Sequence, residues 1–252
     1  MSSLINISKL KIGYSNGTKE NLLIDDLNAS VKEGEVIALL GLNGSGKTTL
    51  IKHLLAELKP LEGDILYSQK NLKDYSSQDL AKQVASVKTR YQNPGNISVW
   101  ELVGFGRYPF TSRLHLLKEN DRKLINAALS KVGIVHLKER MVEELSDGER
   151  QKVMLACAIA QATPILILDE PTSHLDVRNK VAMMNLIKSF SKEDHKTILF
   201  STHDLGLARN VATRIWLIHD QKLIDESATH FMDNKSWKPL LEGIDEALIN
   251  WL

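Results

Sequence analysis

The sequence predicts an α/β fold with a mostly parallel sheet, an antiparallel β flap and an inserted α-helical subdomain. Three observations carry that prediction. Short, wholly apolar runs such as Val36-Ile37-Ala38-Leu39-Leu40 and Ile165-Leu166-Ile167-Leu168 have the pattern of central strands buried on both faces. Longer segments with apolar residues three and four apart alternate with these runs, the order expected of a sheet with helices on both faces. The first run leads into Gly41-Leu42-Asn43-Gly44-Ser45-Gly46-Lys47-Thr48-Thr49, a match to G-x-x-x-x-G-K-[ST], a motif that requires a strand before it and a helix after it.

Residues 4–12 alternate loosely and read as a strand, which Gly13-Tyr14-Ser15-Asn16-Gly17 is expected to end as a turn. Residues 27–31 form a second strand, closed by Lys32-Glu33-Gly34 before the run at 36–40. A helix is predicted over 47–58, stopped by Pro60-Leu61-Glu62-Gly63, with a short strand at 64–67. These early strands make the antiparallel flap beside the glycine-rich loop. A weak helix at 77–82 and a short strand at 84–87 follow, and Asn93-Pro94-Gly95-Asn96 makes a turn. Ser98, with Glu101 three residues on, is a cap for a helix over 98–103. Residues 119–132 are amphipathic, with Leu124, Ile125, Ala128, Leu129 and Val132 on one face.

The run from 92 to 145 holds only helix and loop, so it reads as a helical subdomain inserted between core segments 1–91 and 146–228. Within the second core segment, helices are predicted at 146–162, 177–190 and 205–212. Strands are predicted at 165–168, 197–200, 214–218 and 222–224. Residues 229–252 mix Trp237, Leu240, Leu241, Ile244, Leu248 and Trp251 with charges, the composition of a helical tail packed on the body of a single domain.

Bulk properties narrow the function. The 252 residues carry 32 basic and 31 acidic side chains, a formal net charge of +1, which gives no support to a long electrostatic footprint on nucleic acid. The single Cys157 excludes an internal disulfide or cysteine-based metal cluster, and its apolar helical setting suits a buried small hydrophobe. The N-terminal residues lack the pattern of a secretory signal, and no segment approaches 18 consecutive apolar residues. The expectation is a soluble protein that serves a membrane only through a partner.

A triphosphate is densely anionic, so its site wants backbone N–H groups with no side chains in the way. Glycines allow that close approach, and the start of the following helix adds donors and a favourable dipole. Gly41, Asn43, Gly44, Ser45, Gly46, Lys47, Thr48 and Thr49 are therefore the candidate ATP-binding residues. Lys47 would reach the β- and γ-phosphates, and the Thr48 hydroxyl would hold Mg²⁺. Asp169-Glu170-Pro171-Thr172-Ser173-His174-Leu175-Asp176 follows the apolar strand at 165–168. An acid at that strand end, Asp169, is placed to bind Mg²⁺, and the adjoining Glu170 can polarise a water for in-line attack on the γ-phosphate.

With these elements in order, Leu145-Ser146-Asp147-Gly148-Glu149-Arg150-Gln151 resembles the signature sequence of ATP-binding cassette (ABC) ATPases, and Ser201-Thr202-His203-Asp204 is similar to that family's switch-histidine segment. The resemblance covers essentially the whole chain and implies the P-loop NTPase fold of that family. It implies that Ser146 and Gly148, at a helix start, face the γ-phosphate of ATP held by a second copy of the chain, so that two nucleotides are sandwiched. It implies that the loop ending at Asp176 runs along the dimer seam, that His203 contacts the γ-phosphate and positions Glu170 or the water, and that Tyr14 stacks on adenine. The family's usual glutamine after the strand at 84–87 is absent from its place. Thr89 stands there and Gln92 comes three residues late, and the sequence does not choose between them.

The segment from Asn96 through Gly106-Arg107-Tyr108-Pro109-Phe110 resembles the subgroup of ABC ATPases that power bacterial import of iron-siderophore complexes, haem and cobalamin. That resemblance implies a peripheral subunit on the cytoplasmic face of the cell membrane. It would work with integral permease subunits and, through them, a substrate-binding protein, and a groove near residues 100–110 would pass motion to the permease. Alternatives are an ABC ATPase for another cargo, a soluble one acting in a role such as iron–sulfur assembly, and a P-loop kinase, which would have no reason to carry the signature at 145–151.

Overall fold

The central strands of the main sheet are buried on both sides, and their two faces enter two different cores. The computed structural model describes residues 3–15, 20–88, 95–112, 115–173 and 175–241. In chain order these hold β1 (Ser3–Ser15), β2 (Glu20–Lys32), β3 (Val36–Gly41), α1 (Lys47–Leu54), β4 (Glu62–Tyr67) and β5 (Lys70–Asn71). Next come α2 (Ser77–Leu80), β6 (Val84–Val87), α3 (Val99–Gly104), α4 (Glu119–Val132), α5 (Asp147–Ala160) and β7 (Ile165–Leu168). The rest comprises α6 (Val177–Asp194), β8 (Thr197–Ser201), α7 (Leu205–Val211), β9 (Arg214–His219), β10 (Lys222–Ser227) and α8 (Ala228–Asp233).

One sheet has six strands in the order β10-β9-β3-β8-β7-β6, parallel except for the β9–β10 pair. The other is the antiparallel flap, four strands in the order β2-β1-β4-β5. On one face of the six-stranded sheet Ala38, Leu40, Leu166, Leu168, Phe200 and Leu217 join a core shared with the helices from α3 to α8. On the other face Ile37, Leu39, Ile167, Leu199 and Trp216 meet Leu50, Ile51 and Leu54 of α1 and the inward side chains of the flap. Helices thus lie on both faces, as expected, and α1 shares its face with the flap sheet. Each fully buried Leu or Ile contributes about 1.5–3 kcal/mol, so both layers are needed to hold the central strands.

Other boundaries also differ from expectation. β1 does not turn at Gly13 but runs on to Ser15, because Gly13 and Tyr14 pair with Leu22 and Asn21 of a β2 that is itself longer than expected. α1 ends at Leu54 instead of continuing to residue 58. Ala56 takes a left-handed φ of 56°, its N–H bonds to His53 O, and the Glu57 N–H bonds back to Lys52 O, the paired closure that terminates a helix. Among the described residues no helix is long and apolar enough to cross a membrane.

The Gly106-Arg107 step ties the helical segment together. A side chain at Gly106 would sit 2.2 Å from Cys157 O, so only glycine lets this turn lie against α5. Arg107, itself buried, donates to Ala160 O and Gln161 O at the end of α5 and to Asp121 Oδ1 of α4 at 3.0 Å. Cys157 is half-buried in α5 instead of fully buried, and desolvation pushes its thiol up to about 11.

Candidate nucleotide site

The parallel strands β3, β8 and β7 lie side by side, so the loops that follow them emerge at one edge. This carboxyl edge is where open α/β sheets bind ligands. The glycine-rich loop after β3 turns into α1 through Gly44 and Gly46, with φ of 83° and 107°, a conformation that a side chain would strain. Gly46 is the N-cap of α1, no side chain caps that helix, and its first turn holds no acid. The helix start therefore offers N–H donors and a positive dipole end to an anion.

Two buried groups test whether a polyphosphate fits. The Ser45 hydroxyl is buried with no hydrogen-bond partner among the described residues. Lys47, 7% exposed, turns its ammonium onto the loop's own carbonyls, donating to Gly41 O at 2.8 Å and Leu42 O at 3.1 Å. Burial pulls the Lys47 pKa below its ordinary value, and the charges of Glu170 and Asp169 oppose that pull. A cation buried beside donor groups matches the chemistry of a phosphate chain.

The acids that follow β7 join this loop through hydroxyls. Thr48 Oγ1 donates to Asp169 Oδ2 at 3.1 Å, and Ser201 Oγ donates to Asp169 Oδ1 at 2.6 Å. The Glu170 N–H donates to Ser201 Oγ at 2.8 Å. Glu170 has a φ of 52°, a left-handed conformation that costs a non-glycine residue on the order of 1 kcal/mol and persists only when its surroundings hold it. Its Oε2 lies 3.1 Å from His203 Nδ1, with the imidazole largely exposed to the cleft. Thr202 N–H bonds to Leu39 O of β3, and Asp204 caps α7, which fixes the segment carrying His203. Lys47, Thr48, Asp169, Glu170 and His203 thus stand in one neighbourhood.

The donor set also fits a hard cation. Thr48 and Asp169 bring a hydroxyl and a carboxylate oxygen together at the loop. That is the pattern of a site completed by phosphates and water instead of a protein cage. Tyr14 meets Thr49 through a 2.8 Å hydroxyl contact, leaving its ring 42% exposed beside the loop.

Ser146, Gly148 and Asp176 form a second cluster. Ser146 caps α5 in a reciprocal box: Ser146 N and Oγ donate to Glu149 Oε2 at 2.9 and 2.7 Å, and the Glu149 N–H donates back to Ser146 Oγ at 3.4 Å. The Ser146 hydroxyl and backbone N–H hold the Glu149 carboxyl below its usual pKa. Gly148 faces the Asn179 side chain, while Asp176 caps α6 by accepting from Asn179 N at 2.8 Å and Asn179 Nδ2 at 2.9 Å. The Asn179 N–H accordingly lowers the Asp176 pKa. Gln151 Nε2 donates to Pro171 O, joining α5 to the loop after the acids. Thr89, Gln92 and His174 lie outside the described residues.

Sequence reasoning did not assign a role to Ser201, although it lies in the switch-histidine segment. Its signal was a hydroxyl closing a strand whose middle, Ile198-Leu199-Phe200, is apolar; that this strand lies beside β7 is a tertiary fact. A cavity of about 810 Å³ opens near the far end of α1, lined by residues such as His53, Leu58, Tyr75 and Leu80, and contains none of the site residues above. Shape alone would therefore have pointed away from the phosphate loop.

Residues 24–173 match the family model described as ABC transporter. The chain is 36% identical over 208 residues to the iron(3+)-hydroxamate import ATP-binding protein FhuC of Bacillus subtilis, covering 82% of this chain and 76% of that protein. It superposes on an inward-facing metal-chelate type ABC transporter with a TM-score of 0.83 and 26% identity, covering 96% of this chain and 90% of the other. A bacterial ABC transporter cassette solved as a dimer gives a TM-score of 0.78 and 26% identity, over 89% of this chain and 98% of that one. With the glycine-rich loop, the paired acids and the capped helix at 146 held in one α/β body, this chain belongs to the ABC transporter family, as an ATP-binding and ATP-hydrolysing cassette.

Proposed function

We propose that this cassette powers import of an iron or related metal chelate, working as a pair beneath integral permease subunits on the cytoplasmic face of the membrane. The observation that carries the chemistry is the 3.1 Å contact between His203 and Glu170, beside an Asp169 bonded to Thr48. The cargo class is supported by the likeness to an iron(3+)-hydroxamate import protein and a metal-chelate type transporter. Pairing is supported by the likeness to a dimeric cassette.

In this reading, ATP draws the Lys47 ammonium from Gly41 O and Leu42 O to the β- and γ-phosphates, and the loop N–H groups cradle the chain of phosphates. Thr48 and Asp169 would hold Mg²⁺, which would supply charge neutralisation at the phosphates. Glu170 orients and deprotonates the attacking water, and His203 keeps the Glu170 carboxylate aimed at the γ-phosphate. Tyr14 stacks on adenine. Ser146 and Gly148 of a second copy complete the site, with Asp176 at the seam. ATP favours the closed pair, and hydrolysis removes that preference.

The helical subdomain at 92–145 carries this motion to the permease, for which Phe105, Tyr108 and Phe110 offer a partly exposed aromatic surface. A periplasmic or extracellular substrate-binding protein delivers the chelate to the permease. Glu170→Gln tests the reading. Turnover, followed as phosphate release, is expected to fall about a thousandfold while ATP binding persists and a stable dimer accumulates. A monomer with ordinary turnover would refute it. Co-purification from detergent-solubilised membranes, followed by ATPase assay with candidate ferric chelates, tests the cargo class.

A further inference from the structure

The geometry points to Ser201 as a positioning residue that makes Asp169 and Glu170 act as one unit, an inference that rests on the roles proposed above for those acids. Ser201 is fully buried at the end of β8. A serine hydroxyl has one proton to give. Here Ser201 Oγ gives it to Asp169 Oδ1 at 2.6 Å and receives the Glu170 N–H at 2.8 Å. The direction of every bond in the chain is therefore determined: Glu170 N–H to Ser201, Ser201 O–H to Asp169, and Thr48 O–H to the other Asp169 oxygen.

Each bond has a separate consequence. The bond to Asp169 fixes the carboxylate orientation in which Thr48 Oγ1 lies 3.1 Å from Oδ2 and 3.4 Å from Oδ1. The bond from Glu170 holds a backbone N–H that belongs to a residue in the left-handed region, with a φ of 52°. That conformation sets the direction of the Glu170 side chain toward His203, which is two residues beyond Ser201 on the same segment. Removing the hydroxyl takes the partner from a partly buried N–H and the 2.6 Å hydrogen bond from the buried Asp169 carboxylate, and frees Glu170 to leave the strained conformation. Ser201 touches neither nucleotide nor water in this account; it acts through the two acids.

The test compares Ser201→Ala with wild type in the full chain. Expected for Ser201→Ala is a kcat lower by roughly tenfold to a hundredfold, with the KM for ATP changed by less than about threefold. Ser201→Cys, close in size but a weak donor, should fall between the two and carries the test if the alanine variant is insoluble. A readout independent of turnover is Mn²⁺ binding to the ATP complex, followed by electron paramagnetic resonance. The Mn²⁺ concentration for half-saturation should rise several-fold. In a Glu170→Gln background, adding Ser201→Ala should leave the ATP-trapped dimer intact and lower residual turnover little further.

Wild-type kcat in both Ser201 variants would overturn the proposal. So would a parallel loss of kcat, ATP affinity and thermal midpoint with Mn²⁺ binding unchanged, which marks a purely structural serine. Ordinary turnover by Glu170→Gln alone would overturn the parent reading and this one together. A silent Ser201→Ala beside an inactive Glu170→Gln would overturn only the role of Ser201.

Discussion

The starts of α1 and α5 are both read from the sequence as phosphate-binding helix ends, yet they are built in opposite ways. α1 begins at a glycine with no side-chain cap and no acid in its first turn. α5 begins at Ser146 in a closed capping box, with Asp147 and Glu149 in its first turn. The first end has no side-chain cap of its own, which leaves its N–H groups and dipole for an incoming anion. The second is already satisfied by Glu149, so a phosphate arriving there meets a carboxylate in possession of the Ser146 hydroxyl. A helix start that is stable alone and must compete for its ligand suits a site completed only when two copies close. One that is left open suits a site for permanent use within one chain.

The sharpest way to break this comparison is at α1. Lys47→Ala should lower turnover by about a thousandfold and remove most ATP binding, since it deletes a cation aimed at developing charge. Phosphate release and binding of a fluorescent nucleotide would check it, and near-normal values would dissolve the assignment of the primary phosphate site to α1. At α5 the expected loss is smaller and of a different kind. Ser146→Ala should cost about 1 kcal/mol at the helix start. It should leave ATP binding by the isolated chain nearly unchanged, but weaken ATP-driven dimerisation of a Glu170→Gln background about tenfold. Light scattering at graded protein concentration separates the two effects, and equal damage to binding by the isolated chain would contradict the proposed division of labour.

The finest test is Glu149→Gln, which keeps a capping side chain but removes its charge. ATP-driven dimerisation should tighten by about two- to fivefold, an effect that salt reduces. The same carboxylate sets a pH dependence. Because the Ser146 bonds hold its folded-state pKa below the ordinary glutamate value, the box stabilises α5 fully above that ordinary value. The contribution is lost as pH falls through the lower folded value. Melting across the acid range should lose this component in Glu149→Gln, and an unchanged acid limb would show that the box adds nothing measurable.

Much of this architecture was legible because its signals are local. The capping box at Ser98, the strand at 84–87, the strand at 165–168 and the helix at 119–132 appear where residue spacing predicted them. The misreadings came where a neighbour overrode the local preference. Gly13 and Tyr14 look like a turn until β2 is beside them. An alanine closes α1 although nothing about alanine favours a left-handed residue. Arg107 reads as part of a subgroup motif, and the fold adds what the motif does not say: its guanidinium is buried between Asp121 and the last carbonyls of α5.

The order of motifs along the chain determined the family and the nucleotide and singled out Asp169 and Glu170 as the candidate acids. Each of those motifs is a short stretch whose chemistry depends on residues adjacent in sequence. The juxtapositions had to wait for the tertiary structure: Ser201 between two acids, His203 on Glu170, and the flap sharing a face of the main sheet with α1. Strand order in a parallel sheet is decided by crossovers and by packing on both faces, and strands apolar on both sides carry no mark of which neighbour they will take.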